Sequence, residues 1–98
     1  MKDLCSFVIP SYNSVAWLPH AVASAQAQTY REIEIIVVDD CSTDMTSQYC
    51  AWLLQNEPRA VVIRNEKNMG RSESRNIGNR AAMGKYIFVL DADDLAYP

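Results

Sequence analysis

An acidic cluster directly follows an apolar segment near residue 90. The segment Tyr86 to Leu90 leads straight into the run Asp-Ala-Asp-Asp at 91–94. Because side chains alternate along an extended backbone, Asp91 and Asp93 can approach one ion from the same side. Hard divalent cations take oxygen ligands and complete their shells with phosphate oxygens and water. The pattern therefore predicts a Mg²⁺ or Mn²⁺ site on Asp91 and Asp93; a helix cap or a solvated turn is the alternative.

A second acidic cluster follows the apolar segment Ile33 to Val38. Asp39, Asp40 and Asp44 lie within six residues, so their charges repel one another unless a partner shares them. A carboxylate is a good acceptor for the N3–H of uracil, whereas it would repel the lone pair at N3 of cytosine. We interpret Asp39 or Asp40 as a ligand of a nucleobase. The alternative is a solvated loop in which Asp44 caps the next helix.

The first apolar segment also ends in residues that suit a ligand. Pro10 restricts the backbone and removes a donor, and Tyr12 offers a flat ring on which a base could stack. The sequence Pro-Ser-Tyr-Asn is equally common in ordinary turns, which leaves both interpretations open.

A basic segment opens the third predicted helix. Between Arg59 and Lys85 there are seven basic residues and two acidic ones, and the N-terminus of a helix attracts phosphate. Arg71 and Arg75 are four residues apart, so both can lie on one helix face and one can reach a diphosphate. The alternative is a solvated face that also includes Arg80, with acidic side chains as loose partners.

Two kinds of segment alternate along the chain and must position these clusters. The predicted strands are Leu4 to Ile9, Ile33 to Val38, Ala60 to Ile63 and Tyr86 to Leu90. The predicted helices are Val15 to Gln28, with Asn13 or Ser14 as N-cap, Thr46 to Gln55, and Ser72 to Met83, with Gly84 after its end. The order β-α-β-α-β-α-β predicts an α/β fold with an open, mostly parallel sheet of four strands. Ligands of such sheets bind at the carboxyl ends of the strands, where these clusters lie.

Length, net charge and cysteine content limit the kinds of protein and binding partner that the sequence allows. With 98 residues the chain forms one small domain, and its net charge of −3 argues against nucleic acid as the main partner. The cysteines at 5, 41 and 50 are odd in number and fit no zinc or redox spacing, so we expect reduced thiols and a cytoplasmic protein. The first apolar segment is too short for a signal peptide or a membrane span.

Other residues carry less information. We interpret His20 as a packing or surface residue, and Trp17 and Trp52 as core or groove-covering aromatics. The glycines form neither a dinucleotide-binding nor a P-loop motif.

Taken in order, four motifs resemble the N-terminal part of family 2 glycosyltransferases of the GT-A fold. They are Val-Ile-Pro-Ser-Tyr-Asn, Val-Asp-Asp-Cys-Ser-Thr-Asp, Asn-x-Gly-x-x-x-x-Arg-Asn-x-Gly and Phe-Val-Leu-Asp-Ala-Asp-Asp. The resemblance covers essentially the whole chain and implies the Rossmann-like half of that fold. Cys41 stands where the family often has glycine, which predicts a loop that needs no positive φ.

The resemblance also implies roles for individual residues. Pro10, Tyr12 and Asp40 would hold uridine, Asp39 and Arg75 would lie near the nucleotide, Asp91 by the ribose, and Asp93 on the metal. We add Asn13, Asn68 and Gly70 to the expected nucleotide-binding residues.

The implied activity is inverting transfer of a sugar from a UDP-sugar to a saccharide or a lipid-linked saccharide, as in cell-wall or polysaccharide synthesis. The family's general base comes later in its sequences, so we expect no catalytic residue in residues 1–98, which would be truncated after the Asp-x-Asp motif. Binding without transfer is the expected property, in the cytoplasm or at the cytoplasmic face of the membrane.

The fourth strand would be an exposed edge open to self-association. A phosphotransfer or phosphatase-like α/β domain and a non-catalytic interaction module are the alternatives.

Overall fold

The computed structural model describes residues 3–91 of the chain. Its elements are β1 (Cys5–Ser11), α1 (Leu18–Gln26), β2 (Ile33–Asp39), α2 (Thr46–Asn56), β3 (Ala60–Arg64), α3 (Arg71–Ala81) and β4 (Tyr86–Val89). Strands and helices alternate throughout, which confirms the predicted α/β class. No helix in this part of the chain is long and apolar enough to cross a membrane.

The four strands form one sheet in the order β3-β2-β1-β4. Every neighbouring pair is parallel, as the sequence predicts. The chain moves outward from β1 through β2 to β3 and then returns to place β4 on the other side of β1. The strand order therefore reverses at β1, and a crevice opens at the carboxyl ends of β1 and β4.

Helices cover both faces of the two central strands. One face carries α1 and α2, whose Leu18, Val22 and Leu53 pack with Ile9 and Ile35 in the larger core cluster. The opposite face carries α3 over a smaller cluster of three valine and isoleucine side chains, Val8, Ile36 and Val38. Burial on both faces explains why β1 and β2 are apolar runs without polar alternation.

Helix α3 approaches the sheet closely at Gly78. A Cβ atom at this position would overlap Val8 Cγ1 and lie 3.2 Å from Val38 Cγ2. Both valines are fully buried in central strands, so neither can move aside easily. The missing side chain of Gly78 therefore sets the distance between α3 and β1.

Three predicted helix ends are wrong, and one of them is the end of α1, which lies at Gln26 and not at Gln28. Helix α1 begins at Leu18 instead of Val15 because Ser14 O accepts the amides of Trp17 and Leu18 in a preceding turn; neither Asn13 nor Ser14 caps it. Helix α3 ends at Ala81, and Gly84 is not its C-terminal glycine. The amide of Gly84 instead donates to Ser6 Oγ at 2.8 Å, and a Cβ atom there would overlap that oxygen.

Strand β4 is an edge of the described sheet, as predicted. Its residues Tyr86, Ile87, Phe88 and Val89 are 37–50% exposed, and only Phe88 stacks on a neighbouring ring, that of Phe7. Both faces of β4 thus present apolar surface. Self-association through this strand stays a prediction.

Candidate functional site

A cavity of about 500 Å³ lies over the carboxyl ends of the strands, between the β1–α1 loop and the start of α3. It is lined by Pro10, Ser11, Tyr12, Asn13, Ser14, Trp17, Asp40, Asn68, Gly70, Arg71, Ser74 and Asp91. Seven of the predicted site residues are among them, namely Pro10, Tyr12, Asn13, Asp40, Asn68, Gly70 and Asp91. Asp39 and Arg75 are not, and Asp93 lies outside the described residues.

The β1–α1 loop is fixed to the β2–α2 loop through Asn13. This residue has a left-handed φ of 48°, and its Oδ1 accepts the amide of Thr43 at 2.7 Å and that of Asp44 at 3.3 Å. Its own amide donates to Ser42 Oγ at 3.0 Å. Because these bonds hold the loop, the half-exposed ring of Tyr12 is presented at the cavity wall.

Asp40 is a buried carboxylate at the wall of the cavity. Its Oδ1 accepts Asn65 Nδ2 at 2.9 Å and the amide of Met69 at 2.7 Å, and its Oδ2 accepts the amide of Gly70 at 3.0 Å. Burial tends to raise the pKa of Asp40, but these hydrogen bonds outweigh it and lower the pKa below its ordinary value. The group therefore stays ionised and ties β2 to the loop before α3.

Asp39 faces the opposite side of the sheet and does not reach the cavity. Its Oδ2 pairs with Arg64 Nη1 at 2.6 Å and accepts Ser47 Oγ at 3.2 Å, while its Oδ1 accepts the amide of Ser42 at 3.0 Å. The carboxylate is almost fully buried. The prediction of Asp39 as a nucleotide ligand is therefore not supported, because its acceptors serve to hold the β2–α2 loop.

Asp91 lies between two arginines of α3. Its Oδ2 is 3.6 Å from Arg71 Nη1, and its Oδ1 is 4.0 Å from Arg75 Nη2. Both distances exceed a hydrogen bond, and the buried Asp91 Oδ1 and Arg75 Nε have no hydrogen-bond partner. Arg80 instead pairs with Glu73 at 3.2 Å on the outer face of the helix. The cavity lining thus includes the Asp91 carboxylate, whose Oδ1 accepts no hydrogen bond, and the guanidinium of Arg71, while Arg75 lies next to the lining.

The predicted cation site is only partly within the described residues. Among residues 3–91 there is no group of three or more His, Cys, Asp or Glu side chains that could hold a metal. Asp91 Oδ1 is a carboxylate oxygen without a hydrogen bond, which fits one ligand of a hard divalent ion. The second predicted ligand, Asp93, lies beyond the described part.

The prediction about Cys41 is wrong. This residue has a φ of 62°, so the loop after Asp40 does require the left-handed conformation that glycine adopts most easily. The thiol lies 3.6 Å from Glu66 O, which is one weak contact in the fold.

Replacing Cys41 by glycine should therefore stabilise the protein by about 0.5–1 kcal/mol. The strain of a left-handed L-residue, roughly 1–2 kcal/mol, is relieved, and the greater freedom of glycine in the unfolded chain offsets part of the gain. Urea denaturation gives the free energy of unfolding. Cys41→Ala keeps the Cβ atom and should therefore give no gain in the free energy of unfolding. Equal stability of Cys41→Gly and Cys41→Ala would contradict the explanation by backbone strain.

The serines at 11, 14 and 74 line the cavity and were not predicted as site residues, and neither was Asn65. Of the two positions that the sequence allowed for Trp17, core or groove-covering, the structure has the second, because the residue is 57% exposed and lines the cavity. Ser11 Oγ is buried there without a partner. Asn65 is buried behind Asp40. The position of Trp17 in the same loop as Tyr12 is the one signal that could have favoured the groove-covering position.

The chain is similar to known proteins over nearly its whole length. Residues 6–98 match the family model described as Glycosyl transferase family 2. The glycosyltransferase GlyG of Streptococcus pneumoniae serotype 4 is 38% identical over 95 residues, which are 97% of this chain and 32% of GlyG. The succinoglycan biosynthesis protein ExoO of Rhizobium meliloti is 41% identical over 93 residues, 95% of this chain and 26% of ExoO. The chain therefore spans about a third or less of these relatives.

Solved structures show the same fold. TarS of S. aureus, residues 1–349, superposes with a TM-score of 0.84 at 33% identity, covering 93% of this chain and 28% of that one. TarS has also been solved with UDP and with UDP-GlcNAc. A second structure is the mannosyltransferase PcManGT of Pyrobaculum calidifontis in complex with GDP-Man and Mn²⁺. It has a TM-score of 0.85 and covers 93% of this chain and 28% of PcManGT. Because only 24% of the residues are identical, this likeness supports the fold alone.

Proposed function

The chain belongs to glycosyl transferase family 2, and from this premise we propose that its cavity binds the UDP part of a UDP-sugar donor. The observation that carries the proposal is the ionised Asp40 carboxylate at the cavity wall. A carboxylate offers about four acceptor positions; two hydrogen bonds occupy Oδ1 and one occupies Oδ2. Oδ2 can still accept the N3–H of uracil, and it would repel N3 of cytosine.

The remaining cavity residues suit the rest of a nucleoside diphosphate. The ring of Tyr12 and the indole of Trp17 offer apolar faces for the base or the ribose. Arg71 lies at the first turn of α3, where the helix N-terminus also attracts phosphate. The existence of TarS complexes with UDP and UDP-GlcNAc at 33% identity supports this choice of ligand.

We assign the divalent cation, Mn²⁺ or Mg²⁺, to Asp91 together with Asp93. When bound, such an ion would neutralise charge on the departing diphosphate. The residues of this chain would orient the donor: Asp40 would hold the base, and Arg71 and Arg75 would lie beside the phosphates once they separate from Asp91.

For the whole protein we propose inverting transfer of the sugar to a saccharide or lipid-linked saccharide acceptor. We expect the base that takes the acceptor proton to lie outside residues 1–98, as the family resemblance implies. Residues 1–98 alone should therefore bind donor and give little or no transfer.

Tryptophan fluorescence tests the binding directly. In Trp52→Phe, Trp17 is the single tryptophan, and titration with UDP and Mn²⁺ should change its emission saturably with a Kd at or below about 1 mM. In Trp17→Phe, the remaining Trp52 is 55% exposed on α2, outside the cavity lining, and its emission should stay constant.

Two results would refute the proposal. One is the absence of saturable binding with either cation, measured by calorimetry as well as by fluorescence. The other is stable gain of a phosphoryl group after incubation with acetyl phosphate, since mass measurement would then identify a phosphotransfer protein.

A further inference from the structure

We propose that Asn65, which does not line the cavity, is a positioning residue that sets the uracil preference of the site through Asp40. This inference rests on the proposed function. Asn65 directly follows β3 and is 6% exposed. It is absent from the cavity lining, so it would act from behind the carboxylate and not by touching the ligand.

The side chain of Asn65 is fixed by bonds at both of its amide hydrogens. Nδ2 donates to Asp40 Oδ1 at 2.9 Å and to Ser74 Oγ at 3.1 Å. Its backbone amide donates to Asp39 O at 2.9 Å, which ties the residue to the end of β2. An ionised carboxylate only accepts hydrogen bonds, so the nitrogen of Asn65, not its oxygen, must face Asp40.

This arrangement decides which oxygen of Asp40 is left for a ligand. Asn65 and the amide of Met69 donate to Oδ1, whereas Oδ2 accepts the amide of Gly70; the Ser74 hydroxyl is a further neighbour that helps to lower the pKa of the carboxyl group. Without Asn65 the carboxylate could rotate about its Cβ–Cγ bond and offer its oxygens in other directions. Met69 and Gly70 hold one edge of the group, and Asn65 fixes its plane.

A merely structural role predicts a different result from a positioning role. If Asn65 only stabilised the loop, its removal would weaken every nucleotide by the same factor. If it orients Asp40, its removal should weaken UDP, which needs a correctly placed acceptor for N3–H, and should spare CDP, which gains nothing from that acceptor.

The test compares UDP and CDP affinities by calorimetry with Mn²⁺ in wild type, Asn65→Ala and Asn56→Ala. In Asn65→Ala the UDP affinity should fall about tenfold while the CDP affinity changes less than about twofold. Asn56 is an exposed asparagine whose side chain donates to Trp52 O at the end of α2, and its variant should keep the wild-type ratio.

The outcomes separate the two proposals. A wild-type chain that fails to bind UDP overturns the proposed function itself. Normal wild-type binding with an unchanged UDP-to-CDP ratio in Asn65→Ala overturns only the role of Asn65.

A second measurement needs no variant and so does not depend on its folding. In wild type the side-chain amide protons of Asn65 should shift in NMR spectra on addition of UDP and much less on addition of CDP. Equal shifts with both nucleotides, or none, would overturn the inference.

Discussion

Replacing Asp40 by asparagine should weaken UDP binding at least about tenfold and lower the free energy of unfolding by roughly 2–3 kcal/mol. The substitution keeps the shape of the side chain but turns one acceptor oxygen into a donor. That donor must then face either the amide of Gly70 or the donors at Oδ1, Asn65 Nδ2 and the amide of Met69. Calorimetry with UDP and urea denaturation measure the two effects separately.

The same carboxylate makes the protein sensitive to acid. Hydrogen bonding lowers the pKa of Asp40 in the folded state despite its burial, so its contribution to stability is present above its unfolded pKa of about 4. This contribution is lost as the pH falls below that value toward the folded pKa. In Asp40→Asn the urea midpoint should therefore decline less between pH 5 and pH 2 than in wild type.

Asp3→Asn is the matched control for Asp40→Asn in the UDP-binding measurement. Asp3 is an exposed carboxylate that lies 3.5 Å from Lys85 Nζ, and such surface pairs contribute about 0–1 kcal/mol. Its variant should bind UDP like wild type. UDP binding by Asp40→Asn with wild-type affinity would show that Asp40 only holds the loop.

Replacing Gly78 by alanine should destabilise the protein by about 2 kcal/mol or more, although the same exchange in an open helix stabilises it by about 1 kcal/mol. The added methyl group would overlap Val8 and press on Val38. Overpacking a well-filled core typically costs about 1–3 kcal/mol, and Val8 is enclosed in the central strand β1. Either α3 or the sheet must then move.

Two further variants test this explanation. Asn76→Ala shortens an exposed side chain of α3 to a methyl group, so a helical alanine that meets no neighbour should leave stability unchanged or slightly raised. Val8→Ala combined with Gly78→Ala should lose less stability than the sum of the single changes, because the space vacated by Val8 receives the new methyl group. A Gly78→Ala protein more stable than wild type would contradict the close approach of α3.

The sequence predicted the fold because its local signals agree with one another. The runs of β2 lack polar alternation, and this occurs where helices cover both faces of a sheet. Four strands separated by three helical stretches then allow few arrangements other than a parallel sheet. Because ligands of parallel sheets bind at the carboxyl ends of the strands, Tyr12, Asp40 and Asp91 were expected to lie together. The structure brings all three to one cavity.

The strand pattern alone could not decide between Asp39 and Asp40, which only the family resemblance distinguished. Adjacent residues at the end of a strand point to opposite faces, so one of the two had to lie on the side of α2 and the other on the side of α3. Which face carries the cavity depends on where β4 joins the sheet and where the loop before α3 returns. Those are long-range features, and Asn65 was missed for the same reason.

Other errors came from local backbone geometry. A glycine such as Gly84 fits the end of a helix and equally fits a close contact with Ser6 of β1, and the sequence does not distinguish these uses. Cys41 shows the reverse case, because an L-residue occupies a left-handed position that its type does not indicate.

The position of β1 in the sheet has a consequence for folding kinetics. Cys5–Ser11 is the first described strand along the chain, yet its partner on one side, Tyr86–Val89, is the last. Contacts between such distant segments close large loops and place a domain among the slower folders. During synthesis one edge of this very apolar strand is therefore unpaired until nearly all of residues 3–91 have been made, and chaperone binding in that interval should favour β1.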